Sequence, residues 1–260
     1  MLPSLYVPHG GGPCFFMEDP EGIWTGMGEF LRALPASLPE RPRAILVVSG
    51  HWETRGLALT GSARPPLVYD YYGFPPHTYQ LRYDAPGSPE LAERAARLLA
   101  DAGFAAGIDP ARGLDHGVFV PLKVAFPAAD IPVVELSLDA RLDAGFHLEV
   151  GRALAPLRAE GVLVMGAGMS FHNLRALGDP RLTGPSREFD AWLNEAACDD
   201  ARMRAAALSR WQEAPAARLA HPRHEHLLPL MVAAGASDAP GRRIYNELVL
   251  GTWISGFAFD

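Results

Sequence analysis

Nine histidines are spread over 260 residues, and their positions matter more than their number. His9 closes LYVPHGGG, His51 closes ILVVSGHW and His172 follows VLVMGAGMSFHN, so each comes directly after a short apolar run or in the loop just beyond it. If those runs are strands of an α/β sheet, the three imidazoles converge beyond the carboxyl ends of the strands, where ligands collect in such folds. Neutral imidazole is a ligand for divalent transition metals and also titrates near neutral pH. One centre of this kind could bind a metal and move protons.

The densest group is His221-Pro-Arg-His-Glu-His226. Its composition resembles a helix start, which places His224, Glu225 and His226 in or near a first turn. Successive helical residues point about 100° apart, so one or two ligands from this segment are expected, not all. It is not the HExxH zinc motif. His116, in GLDHGVFVPL, reads as a catalytic group or a turn residue, whereas His77 and His147 read as structural. Other chemistries have little support. There is no GxSxG elbow, and Cys14, beside Phe15 and Phe16, looks like a packed, inert thiol. Gly10-Gly11-Gly12 and Gly166-Ala-Gly168 lack a phosphate-loop pattern and read as tight turns or close backbone approaches.

The elements that must position these residues are legible in outline. Four apolar runs, at residues 4–7, 44–49, 133–137 and 162–167, have the length and punctuation of buried strands. Helical patterning covers 91–102, opened by Ser88-Pro89-Glu90 and stopped by Gly103. It recurs over 143–158, 187–198, 202–211 and 224–234, and 245–259 returns to β-type composition as an added strand or hairpin. Residues 61–88 have no clear period, and a segment so long tends to be functional or flexible. The expectation is one catalytic domain over 1–260, a layered α/β/α fold with a largely parallel or mixed central sheet.

Bulk composition narrows the function. With 23 basic and 30 acidic residues the formal net charge is -7, which argues against nonspecific nucleic-acid binding. No apolar run approaches the ~18 residues of a membrane span. No secretory leader is evident, and two cysteines without a CxxC pair set a reducing cytoplasm as the default location.

Seven motifs then occur together in one order: HGGGP (9–13), SGHWET (49–54), YDYYGFP (69–75), YDAPG (83–87), GLDHGVFVPL (113–122), GAGMSFHNL (166–174) and HPRHEHLLPL (221–230). In this the chain resembles the class III extradiol ring-cleavage dioxygenases of the LigB superfamily, in particular the 4,5-DOPA extradiol dioxygenase-like (DODA) type. The resemblance implies one divalent metal held by His9, His51 and His226. It places His172 at the metal's edge as acid/base or extra ligand, and His116 on the substrate side. Because distant members use a carboxylate as third ligand, Glu225 competes with His226. The loop bordering the pocket nominates Tyr72, Phe74 and His77 as substrate contacts. The implied reactants are a catechol and O₂, with Fe(II) needed for redox turnover and Zn(II) a competing occupant of the same nitrogens. A homodimer is an allowed assembly. The residues alone also fit a zinc hydrolase on the same scaffold or a non-catalytic metal-binding member.

Overall fold

Alternation along the central strands builds both faces of one sheet. In the computed structural model, which describes the backbone of residues 1–260 and every side chain but that of residue 176, the strands are β1 (Ser4–Pro8), β2 (Ala44–Thr54), β3 (Leu57–Thr60), β4 (Ala106–Asp109), β5 (Val133–Asp139), β6 (Val162–Gly168), β7 (Gly241–Val249) and β8 (Thr252–Phe259). They form a mixed eight-stranded sheet of order β4-β3-β5-β2-β6-β1-β8-β7. The inner strands β5, β2, β6 and β1 run parallel, and β8 joins β1 antiparallel. Tyr6, Leu46, Val48, Val134 and Val164 point into one core, while Leu5, Val7, Ile45, Val47 and Leu163 point into the other. The period of two in these strands therefore serves two apolar layers, as expected of strands buried on both faces.

Helices cover both layers. These are α1 (Thr25–Ser37), α2 (Pro89–Asp101), α3 (His116–Ala125), α4 (Ala144–Leu154), α5 (Pro156–Ala159), α6 (Thr183–Cys198), α7 (Ala201–Ser209), α8 (Ala217–Ala220) and α9 (Leu228–Gly235). Leu31 and Leu34 of α1 and Phe119 and Leu122 of α3 fill one core; Leu91 of α2, Leu148 of α4, Leu193 of α6 and Met231 of α9 fill the other. The layered α/β/α expectation is met. Among the described residues no helix is long and apolar enough to cross a membrane.

Several element boundaries differ from the sequence reading, mostly at prolines. The segment expected as one helix over 143–158 is broken after Leu154, because Pro156 has no N–H to continue the ladder and starts α5. The helix expected from His224 begins at Leu228, with Pro229 in its first turn, so residues 224–226 form a turn before it. Helices α1 and α3, unanticipated, carry Pro35 and Pro121 inside them. Strands β3 and β4 are four residues long, too short for a pattern to register. The added hairpin begins at Gly241 rather than Tyr245, and turns at Leu250 (φ 47°) and Gly251 (φ 78°), a two-residue turn matched to strand twist.

Two glycines decide how closely the second histidine segment approaches the sheet. Gly166 and Gly168 of β6 leave no room for a Cβ: the carbonyl oxygens of Pro229 and His226 lie against them. The His226 carbonyl is further clamped by the Tyr6 hydroxyl (2.9 Å) and the Met169 N–H (3.2 Å). Sheet and α9 are therefore in backbone contact at this point. Gly166→Ala should push α9 off the sheet and cost about 1–3 kcal/mol, the usual range for overpacking. A thermal melt should show a fall of roughly 2–4 °C per kcal/mol for a chain of this size; an unchanged midpoint would show that α9 can shift without loss.

Candidate metal centre

Strands β2, β6 and β1 are neighbours, and the carboxyl ends of β1 and β6 are level with the middle of β2: Pro8 pairs with Gly168, and Ser49 with Ala167. His9 follows β1 at once. Its place is set by a turn in which Gly10 (φ 80°) and Gly12 (φ 56°) adopt the left-handed conformation, and where a Cβ on Gly10 would meet the Cys14 sulfur. His51 was expected beyond the end of its strand but lies inside β2, which runs on to Thr54. The pairing of β2 with β5 loses register between Val48 and Glu53, and this irregularity carries His51 out of the ladder. His226 comes from the turn held down on β6.

These three imidazoles meet. Their ring centroids are 5.0 Å (His9–His51), 5.1 Å (His9–His226) and 4.6 Å (His51–His226) apart. One nitrogen from each falls in a cluster whose members all lie within 4.8 Å of one another. His116 is 3.9 Å from His51, and His172 stacks on His226 at 3.5 Å.

The carboxylates behind the rings set which nitrogens face inward. Glu225 Oε1 lies 3.0 Å from His226 Nδ1, and Asp70 Oδ2 lies 3.4 Å from His51 Nδ1. Each carboxylate holds the proton on Nδ1 and leaves Nε2 with a lone pair. Those two Nε2 atoms are 3.1 Å apart. Two lone pairs so placed repel unless a cation sits between them. Two nitrogens bound about 2.0–2.1 Å from one ion stand roughly 3.0–3.4 Å apart, which is the spacing found. His9 adds a buried imidazole with neither ring nitrogen hydrogen-bonded among the described residues. An orphaned buried donor–acceptor is costly without a partner, and a metal ion would supply one. The residues fit a divalent cation.

Electrostatics keep the rings ready. Burial, and then the neighbouring imidazoles His51 and His226, hold His9 well below the usual histidine range. Burial together with nearby His116 brings His51 down to about 4, against the opposing pull of Asp115 and Asp70. His226 is likewise lowered by burial, although Glu225 pulls it up. All three are neutral near pH 7. Burial would raise Glu225, but hydrogen bonds from His172 and His226 outweigh it and keep the carboxyl below its usual range. Asp70 is similarly brought to about 2, burial being outweighed by the His116 hydrogen bond.

Asp70 was not singled out from the sequence, although its motif was. It accepts from both the backbone N–H (3.0 Å) and Nδ1 (2.7 Å) of His116, so it also caps the start of α3. Ser49 and Asp115 were missed too: the Ser49 hydroxyl donates to Asp115 (2.8 Å) and accepts from the His51 N–H (3.2 Å). The available signal was chemical, since metal-bound histidines need an acceptor on their second nitrogen. Glu225 turns out to back His226 from the side opposite its inward nitrogen. Tyr72 and Phe74 line the cavity above the cluster, but His77 does not. His77 is exposed, with Nε2 3.0 Å from the Phe16 carbonyl, so its expected pocket role is corrected to a contact between loops. His221 and His224 are spent on the carbonyls of Ser170 and Leu142, and buried His147 has Nδ1 on the Asp143 carbonyl while Nε2 accepts from the Asp139 N–H.

Residues 5–258 match the family described as the catalytic LigB subunit of aromatic ring-opening dioxygenase. The chain is 38% identical to the dioxygenase tasH of Hapsidospora irregularis, covering 96% of this chain and 83% of the relative. It is 41% identical to the 4,5-DOPA dioxygenase extradiol of Beta vulgaris (84% and 80% covered). With the protein of that same description from Escherichia coli K12 the identity is 37% (91% and 86% covered). The crystal structure of the uncharacterized protein JW3007 from Escherichia coli K12 superposes with a TM-score of 0.79 at 29% identity, covering all of both chains.

Two measurements test the cluster. In elemental analysis of purified variants, His9→Ala, His51→Ala and His226→Ala should each lose the metal. Asp70→Asn and Glu225→Gln should keep it with affinity lowered about 10–100-fold, as measured against a chromophoric chelator. The second is pH dependence of the chelator-treated protein. His51 titrates near 4 when folded and near 6.5 when unfolded, so the unfolded chain takes up its proton first as pH falls. Stability should therefore drop between about pH 6.5 and 4, by about 3 kcal/mol from this group alone. In urea titrations His51→Asn should flatten that slope; equal slopes would show that His51 is not buried neutral.

Proposed function

The chain belongs to the LigB family of aromatic ring-opening dioxygenases, and from that premise we propose that it opens a catechol-type ring with O₂ at one divalent metal held by His9, His51 and His226. Both oxygen atoms enter the product, so no outside reductant is needed. The observation that carries the reading is the pair of inward Nε2 atoms 3.1 Å apart, each with a carboxylate behind it. An ion with accessible redox chemistry, Fe(II) rather than Zn(II), would supply the charge that favours an ionised catechol and the electrons that O₂ requires.

The remaining roles fall to the chain's own side chains. His172 has Nδ1 turned to Glu225 Oε1 at 3.4 Å and lines the cavity. Nε2 is then the nitrogen left to take a catechol hydroxyl proton, with Glu225 stabilising the imidazolium that results. The same proton is returned to an oxygen as the ring opens. His116 has Nδ1 committed to Asp70, which leaves its Nε2 as an acceptor for the second hydroxyl. Tyr71 backs this histidine, its ring 5.7 Å from the imidazole and its hydroxyl spent on the Thr78 carbonyl. Three neutral histidines would leave the charge of a divalent ion for an ionised catechol to offset, so none of them has to be displaced.

The test is oxygen uptake with a catechol panel after anaerobic Fe(II) loading, with the absorbance of the ring-opened semialdehyde followed in parallel. Uptake equimolar with catechol is expected, and none from the zinc-loaded protein. His172→Ala should retain its metal while turnover falls roughly 10²–10⁴-fold, the range for lost acid–base help; loss of the metal would make it a ligand instead.

A further inference from the structure

Two of the glycines that follow His9 have an aromatic ring against them. A Cβ on Gly11 would stand 3.2 Å from Cη2 and Cζ2 of Trp24, and one on Gly12 would stand 2.8 Å from Cζ of Phe74. Only the missing side chain lets two rings rest on the backbone this closely. Both rings line the cavity of about 690 Å³ over the histidines, a volume within the ~300–1,000 Å³ usual for small-molecule sites. Their roots differ: Phe74 packs with the core that α1 and α3 fill, Trp24 with the core on the other face of the sheet. Two aromatic walls, one from each layer, therefore meet at the run that presents His9.

Trp24 lies in the loop before α1, and Asp19 holds it there. One carboxylate oxygen of Asp19 accepts from the Ile23 N–H (2.9 Å) and the other from the Trp24 N–H (2.8 Å), while the Asp19 carbonyl accepts from the Gly22 N–H (3.0 Å). A side chain spent wholly on the turn it begins fixes that turn as a secondary-structure ladder would. Phe15 then meets the indole edge-on, with centroids 6.5 Å apart. The indole is gripped by Phe15 and Gly11 and stays only partly buried, with cavity beside it.

Resting on the ring-opening reading above, we propose that Trp24 is an affinity-determining residue that packs on the catechol ring, and that Asp19 is the residue positioning it. The hydroxyls of a catechol are taken up by the metal and by His116 and His172. Its ring carbons need an apolar partner, and aromatic pairs contribute beyond the area they bury.

Two chelators test this without relying on turnover. Binding of 4-methylcatechol and of acetohydroxamate, which offers two oxygens and no ring, is measured anaerobically by calorimetry on the zinc-loaded protein. Trp24→Ala should weaken the catechol at least about tenfold and acetohydroxamate less than about twofold; Trp24→Phe should return the catechol to within about threefold of the unaltered protein. Asp19→Ala should weaken the catechol about three- to tenfold. Added to Trp24→Ala it should cost less than about twofold more, the non-additivity of residues that act through one contact. Unchanged catechol affinity in Trp24→Ala, or an equal loss for both chelators, overturns the proposal, and an additive loss in the double variant overturns the role of Asp19. Failure of 4-methylcatechol to bind the unaltered protein overturns the proposal and the ring-opening reading together. A selective loss in Trp24→Ala without O₂ uptake by the Fe(II) form leaves this wall standing and overturns the ring-opening assignment instead.

Discussion

Two imidazole lone pairs aimed at each other across 3.1 Å are the constraint from which the rest of this structure follows. The arrangement is repulsive by itself. It becomes favourable only with positive charge between the rings, and the carboxylates on the far nitrogens prevent either ring from turning to escape. The protein thus uses folding energy to hold donors in the geometry that a cation would otherwise have to impose. Preorganisation of this kind favours binding because the ordering cost is met before the ion arrives.

Holding that geometry requires rigidity below it. The irregularity in β2 that presents His51 is tied through Ser49 to Asp115, and Asp115 shares Arg112 with Glu135. Glu135 is wholly buried, and burial together with Asp115 pushes it well above the usual carboxylate range. A protonated Glu135 leaves one negative charge in the group opposite one guanidinium, which makes the burial tolerable. On the other side, His226 is fixed by its own carbonyl, caught between Tyr6, Met169 and the bare face of Gly168. The site is therefore braced from both cores of the α/β/α sandwich.

The division of labour around the cavity follows from where the polar groups are. Histidines and their carboxylates concentrate at the carboxyl ends of β1, β2 and β6. The hairpin and the loop after β6 present carbon, with their few donors turned inward to backbone carbonyls. Chemistry on one side and shape on the other allow the second to vary without disturbing the first.

Much of this was legible in the primary chain. His9 and His172 were found because an apolar run ending in Gly or His marks the end of a buried strand, and strand order then places such ends together. The layered fold followed from strands alternating with helices, and the ordered motifs identified the family. What the chain alone left open depends on contacts between distant residues. Whether Glu225 or His226 turns towards His9 and His51 depends on a turn that is set by Pro229 and pressed onto Gly168, and a helical reading of 224–226 concealed it. Asp70 could not be told from the other acids, because its role exists only where it meets His51 and His116. The same holds for the uncharged wall of the cavity: residues from 169 to 177 and from 249 to 254 become one surface only when β8 pairs with β1 beside β6. Local pattern determines which elements form; which side chains share a charge, a proton or a void is decided by packing.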